Sequence, residues 1–148
     1  PLYFNDKERT SALTSICSLL NILLPEGQPN KKIYNSFENL INSINLDNWI
    51  ILYIFFELNL IKSLGYDANL SQYHNNIDDL SEIKKVKIDG YIYEVPSYLI
   101  LKKTPGKIFK NLIRKSLYFT RNIIQNKFFL PNNIPFPKSR VILENYFN

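Results

Sequence analysis

The stretch WIILYIFFELNLIKSLGY, residues 49–66, decides the fold class. Trp49 to Phe56 is the longest apolar run in the chain, and Glu57 and Asn59 interrupt its continuation. A membrane-spanning helix needs about 20 apolar residues, so the run is too short to cross a bilayer. Apolar residues on nearly every side instead predict a central helix, from about Leu46 to Leu64, enclosed by others. Asp47 falls in its first turn, where a negative charge suits the helix dipole. Gly65 sits where a left-handed C-terminal cap belongs. Glu57 is one charge inside the most hydrophobic segment, and a buried carboxylate needs a partner. An ion pair or hydrogen bond to a neighbouring helix is the simplest account of it.

The flanking sequence supplies those neighbours. Asp6 to Leu24 carries Leu13, Ile16, Cys17, Leu20, Leu23 and Leu24 at helical spacing, with Asp6 or Asn5 as cap and Pro25-Glu26-Gly27 as terminator. Cys17 falls on that stripe, which predicts a buried structural thiol rather than a nucleophile. Pro29-Asn30 opens a second helix, about Lys31 to Ile44, with Ile33, Tyr34, Phe37, Leu40, Ile41 and Ile44 on its apolar stripe. In the middle, Val86-Lys87-Ile88, Asp89-Gly90 and Tyr91-Ile92-Tyr93 read as a short hairpin, which two strands alone cannot sustain without helices behind them. Pro96 to Lys102 reads as one or two helical turns. Thr104-Pro105 reads as the cap and first residue of a long helix reaching about Lys127. Pro131, Pro135 and Pro137 form a stiff connector, and Lys138 to Phe147 reads as a closing helix. The expectation is a single, mainly α domain over residues 1–148, with about five to six helices and a short β-hairpin near 85–95.

Composition fits one ordinary domain. The chain has 148 residues, 45% hydrophobic and 14% aromatic, enough to build a core rather than remain disordered. One cysteine, Cys17, makes no internal disulfide, and with the single histidine, His74, it falls short of the four ligands of a structural zinc site. A reducing, cytoplasmic compartment fits that usage. The opening Pro1-Leu2-Tyr3-Phe4 has no basic region of a signal peptide, and the missing initiating Met suggests a start inside a longer protein. A net charge of +5 favours acidic partners such as nucleic acid or an acidic protein segment.

No enzyme signature is present: no G-x-G-x-x-G, phosphate-loop G-K-[ST], H-E-x-x-H or G-x-S-x-G. Asp78-Asp79 has the chemistry to hold a divalent ion, but adjacent acids in a polar loop are ordinarily solvated turn residues. The binding signal lies further on. At 100° per residue, Lys107, Lys110, Arg114 and Arg121 fall within an arc of about 60°, with Lys115 at its edge and Tyr118 inside it. Phe109, Leu112, Ile113, Leu117, Phe119, Ile123 and Ile124 occupy the other side. No acidic residue occurs from Lys102 to Ile142, so an ordinary solvated face with mixed charges is the weaker reading. Phosphates or an acidic peptide suit this face, and Lys138 and Arg140 extend it.

These residues carry a resemblance. Phe56-Glu57-Leu58-Asn59-Leu60-Ile61-Lys62-Ser63-Leu64-Gly65-Tyr66 resembles the F-E-L-x-L-L-x-x-L-G-Y/F segment of the RecO recombination mediators. Asn69 to Tyr73 is similar to the x-L-x-x-C stretch that follows in that family, with Tyr73 in place of the first cysteine. Asp78-Asp79-Leu80, Val95-Pro96-Ser97-Tyr98-Leu99, Ser116-Leu117-Tyr118-Phe119-Thr120 and Ser139-Arg140-Val141-Ile142-Leu143 resemble its D-D-L, L-P-x-F-L, A-L-x-L-T and R-x-x-L segments, in family order.

The resemblance implies a helical C-terminal part that normally follows an oligonucleotide-binding barrel, here absent. It implies no catalytic residues, and a role in DNA repair and homologous recombination. Its implied partners are single- and double-stranded DNA, the acidic tail of single-stranded DNA-binding protein and a RecR-like protein. Strand annealing and recombinase loading are the implied activities, in the bacterial cytoplasm at the nucleoid and not at a membrane. Tyr73, His74 and Asn76 stand where zinc thiolates would be, so no zinc or other cofactor is expected, and residues 73–96 replace the zinc insertion with a hairpin or plain turns. The binding residues expected are Lys107, Lys110, Arg114, Lys115, Tyr118, Arg121, Lys138 and Arg140, on helix geometry. Two competitors stand beside this reading: a helical scaffold for an acidic protein without DNA, and an enzyme using Glu57 with Asp78-Asp79.

Overall fold

The computed structural model describes residues 6–24, 26 and 30–148. Asn5, Pro25, Gly27 and Pro29, expected above to cap, end or open helices, lie outside the described residues. The described chain runs α1 (Asp6–Leu23), α2 (Lys31–Asn42), α3 (Trp49–Ser63), β1 (Ile83–Ile88), β2 (Tyr91–Pro96), α4 (Ser97–Leu101), α5 (Lys110–Ile124) and α6 (Lys138–Asn145). It is mainly α with one antiparallel hairpin, as the sequence predicts. α3 is the hub: Trp49, Ile50, Ile51, Tyr53, Ile54, Phe56, Glu57, Leu60 and Ile61 are all buried. α2 and α5 pack against it, α1 lies along α6, and α5 also supports β2.

Local chemistry explains most boundaries. Asn30 caps α2, its side chain accepting from the Ile33 amide at 3.2 Å. Gly65, at φ +90°, ends α3, and the Tyr66 amide reaches back to the Ile61 carbonyl at 3.3 Å, the bond a left-handed cap residue permits. Asp89 and Gly90, at φ 51° and 85°, form the turn with two positive φ angles that matches the strand twist. The register pairs Ile88 with Tyr91, Lys87 with Ile92, Val86 with Tyr93 and Lys85 with Glu94. Val86, Ile88, Tyr93 and Val95 face the core, and Tyr93 meets Phe119 of α5 edge-on at 5.9 Å.

Four sequence expectations are corrected. Cys17 is exposed, because α1 buries Ala12, Ser15, Ile16 and Leu19, a face rotated from the Leu/Cys stripe so that Ser15 meets the Tyr53 hydroxyl. Tyr34 and Ile41 of α2 are exposed, since the helix buries Ile33 and Leu40 and sets Phe37 against Phe56 of α3. Asp47 precedes α3 rather than lying in its first turn. Thr104-Pro105 does not start the long helix: Lys102 turns the chain left-handed, Pro105 is buried, and α5 begins only at Lys110 after an extended Phe109. Past Ile124 the helix loosens through a wider turn at Gln125–Phe129 and a tight one at Leu130–Asn132. Among the described residues no helix is long and apolar enough to cross a membrane.

Candidate nucleic-acid interface

α5 separates its two sides as its sequence predicts. Leu112, Ile113, Ser116, Leu117, Phe119, Thr120, Ile123 and Ile124 are buried, while Phe109, expected on that side, is 42% exposed. Lys110, Arg114, Tyr118 and Arg121 share the outer side. Lys107 lies in the extended segment before the helix, so it precedes the stripe instead of continuing it.

The cations divide into committed and free. Lys115 pairs with Glu94 of β2. Arg121 lies 3.1 Å from Glu144 of α6 without a well-aligned hydrogen bond, and its guanidinium covers the Tyr118 ring at 5.2 Å. The Tyr118 hydroxyl donates to Asn148 at 3.2 Å. Arg114 bonds the Asn111 side chain on its own helix. Among the described residues Lys107, Lys110, Arg114 and Lys138 have no carboxylate partner. The acid-free sequence between Lys102 and Ile142 therefore does not mean unpaired cations, because Glu57, Asp89, Glu94 and Glu144 arrive from outside it.

Arg140 is the clear correction. Its side chain is fully buried and takes no part in a surface patch. Its Nε donates to Glu57 Oε2 at 2.6 Å, and Nη2 donates to Glu57 Oε1 and the Leu117 carbonyl, each at 3.0 Å. Glu57 also accepts from the Tyr53 hydroxyl and the Thr120 hydroxyl, both at 2.7 Å. Ser15 of α1 closes the chain with Tyr53 at 2.8 Å. One carboxylate thus ties α3 to α5 and α6, and through Tyr53 to α1, which is the structural role read for Glu57. Burial and the Glu57 charge push the Tyr53 hydroxyl up, well above its ordinary value. Burial opposes the charge on Arg140, yet the neighbouring Glu57 carboxylate holds it firmly protonated. Burial also raises Glu144, against the pull of Arg140 and Arg121.

The acidic loop has a plain turn geometry. Asp79 Oδ1 accepts from the Ser81 amide at 2.9 Å and its hydroxyl at 2.8 Å, and these bonds lower its pKa. Among the described residues no three His, Cys, Asp or Glu side chains gather closely enough to hold a metal ion. Sequence reasoning missed a pocket of about 240 Å³ between α3, α4 and the segment after Gly65. Leu58, Ile61, Leu99 and Ile123 line it, together with Lys62 and Lys102. Its signal was faint: two lysines forty residues apart in sequence, each at a helix end.

With this geometry in hand, comparison identifies the family. The family model described as "Recombination protein O C terminal" matches residues 5–84, more than half of the chain. The chain belongs to that family, the RecO C-terminal domains. Among curated relatives, the DNA repair protein RecO of Ehrlichia chaffeensis is 36% identical over 72 residues, covering 47% of this chain and 30% of the relative. The protein of the same name from a Wolbachia of Culex pipiens is 33% identical over 72 residues, covering 47% and 30%. That of Cereibacter sphaeroides is 25% identical over 69 residues, covering 47% and 29%. The chain thus matches about 30% of the length of these relatives. No solved structure matches the chain.

Proposed function

We propose that this domain serves recombinational DNA repair without catalysing a reaction, by offering the outer side of α5 to the phosphates of DNA. The observation that carries the reading is Lys110 and Arg114 on α5, with Lys107 in the segment just before it: cations with no carboxylate partner among the described residues, on a helix whose other side is buried. Lysine and arginine on such a face neutralise phosphates and release counterions, which makes affinity salt-dependent. The names of the curated relatives, DNA repair protein RecO, support the process. Binding of single-stranded DNA-binding protein through its acidic tail, pairing with a RecR-like partner, strand annealing and help in recombinase loading belong to the same reading, as does a bacterial cytoplasmic, nucleoid-associated location.

A second reading has its own observation. The pocket holding Lys62 and Lys102 over Leu58, Ile61, Leu99 and Ile123 has the chemistry of a seat for an acidic peptide with an apolar residue. An anisotropy titration separates the two. Labelled DNA that loses affinity in Lys110→Glu with Arg114→Glu, but not in Lys62→Glu with Lys102→Glu, supports the first. A labelled acidic peptide with the reverse dependence supports the second. Unchanged DNA affinity in the Lys110/Arg114 variant sinks the α5 assignment.

A further inference from the structure

α2 carries more apolar surface than the fold covers. The helix packs mainly on α3, burying Ile33 and Leu40 and setting half-buried Phe37 against Phe56 at 6.4 Å. Tyr34 and Ile41, two turns apart on the adjoining side, are 54% and 41% exposed. With Phe37 between them they follow the i, i+3, i+7 spacing of a helix-pairing seam. At 100° per residue, Lys31 and Glu38 fall together on the outer flank of that seam, and both are exposed. Neither belongs to an ion pair among the described residues. The inner flank is Ile33 and Leu40, already buried in the fold.

We propose that the exposed stripe of α2 is a self-association surface, which pairs antiparallel with the α2 of a second copy of this chain. The order of the flanking charges selects this occupant. A copy running the other way that sets Tyr34 against the partner's Phe37 brings Lys31 opposite the partner's Glu38. Two-fold symmetry then brings Glu38 opposite the partner's Lys31, so one patch serves both copies, as an isologous contact requires. A parallel copy offers neither charge a counter-charge, because its facing flank positions are Ile33 and Leu40. A nucleic acid gains nothing from an apolar stripe flanked by Glu38. Burial of Tyr34 and Ile41 drives the contact, while the exposed ion pairs, weak in themselves, set its direction and register. The helix has 12 residues and is about 18 Å long, so the contact is small and the dimer weak. It does not depend on what α5 binds.

The test is sedimentation equilibrium of the full chain up to about 1 mM, with a reductant present so that exposed Cys17 cannot link copies. The parent is expected to show a monomer–dimer equilibrium with a dissociation constant below about 1 mM, a free energy beyond roughly −4 kcal/mol. Tyr34→Ser with Ile41→Ser is expected to be monomeric throughout. Lys31→Glu alone and Glu38→Lys alone are each expected to weaken the dimer roughly 5- to 30-fold, because two exposed pairs turn from attraction to repulsion at once. Mixing those two single variants is expected to restore dimers of parental strength, since each then meets its counter-charge. All four side chains are exposed, and matching thermal midpoints confirm that the variants fold. A parent that stays monomeric at about 1 mM overturns the proposal and leaves the stripe to a different protein. A dimer that survives in the Tyr34/Ile41 variant overturns it too, and so does a mixture no stronger than its components, which rules out the antiparallel register.

Discussion

Replacing Glu57 by leucine tests whether the buried network holds the helices together. The change removes four acceptor contacts: the two from Arg140, the Tyr53 hydroxyl and the Thr120 hydroxyl. Tyr53 keeps Ser15, but Arg140 is left fully buried with the Leu117 carbonyl, the Thr120 hydroxyl and Glu144, 3.7 Å away. Breaking a buried pair from one side costs about 3–5 kcal/mol, because the survivor is an uncompensated charge out of water. For a chain of this size each kcal/mol moves the thermal midpoint by about 2–4 °C, giving a fall of roughly 6–20 °C. Urea denaturation supplies the free energy, with a midpoint shift and an unchanged slope. The double variant Glu57→Leu with Arg140→Met removes both charges at similar volume, and such replacements are commonly neutral or stabilising by about 1–4 kcal/mol. The double is therefore expected to be more stable than either single. A Glu57→Leu protein within about 1 kcal/mol of the parent would refute the reasoning, as would a double variant no better than its parts.

Other outcomes follow from the same geometry. Arg121→Glu sets a carboxylate against Glu144 and is expected to destabilise by about 1–3 kcal/mol, whereas Arg114→Glu is expected to leave the urea midpoint unchanged. Gly90→Val forces a β-branched residue to φ +85° and is expected to cost about 1–2 kcal/mol, while Gly106→Ala, with open space around it, serves as the silent control. Side-chain carboxyl NMR is expected to place Glu94 below its ordinary 4.5 and Glu144 above it. Because Glu94 is lowered in the fold, its contribution exists above the unfolded carboxylate value and vanishes as pH falls through the folded one. Glu144 runs the other way: the fold holds its proton longer, so stability declines as pH rises from the ordinary value through the raised one. In Lys115→Ala, a Glu94 midpoint that stayed low would remove the ion pair as its cause.

Sequence legibility followed the range over which each decision was made. The central helix, expected over about Leu46 to Leu64 and found at Trp49–Ser63, was legible because a helix apolar on nearly every side has one place to go. Asp89-Gly90 and Gly65 read correctly because positive φ is a local demand that few residues meet. Thr104-Pro105 misled, since its cap chemistry is local while burial of Pro105 and packing of Ile108 against the core are not; tertiary packing won. Cys17 misled because a leucine-rich stripe outweighed Ser15, whose burial depends on a tyrosine hydroxyl 38 residues away. Arg140 misled most. A cation in acid-free sequence looks like surface, yet its partner stands 83 residues earlier. Glu57 announced that it needed a partner but carried no sign of which one.

The pairing of Glu57 with Arg140 also separates two questions that the family assignment tends to merge. Glu57, Thr120 and Arg140 each sit in a segment that resembles a RecO motif, and all three meet inside the core. Three of the segments that make the resemblance thus supply the network that joins α3, α5 and α6. The family model ends at residue 84, short of β2 and α5, and it takes in Glu57 and Tyr53 without the Thr120 and Arg140 that complete the network. The side of α5 proposed to meet DNA, with Lys110 and Arg114, lies beyond its end. The family match thus covers α1 to α3, and the charge and exposure of α5 decide what the outer side of that helix can carry. A variant that loses partner binding at unchanged stability belongs to that surface; one that loses both belongs to the network beneath it.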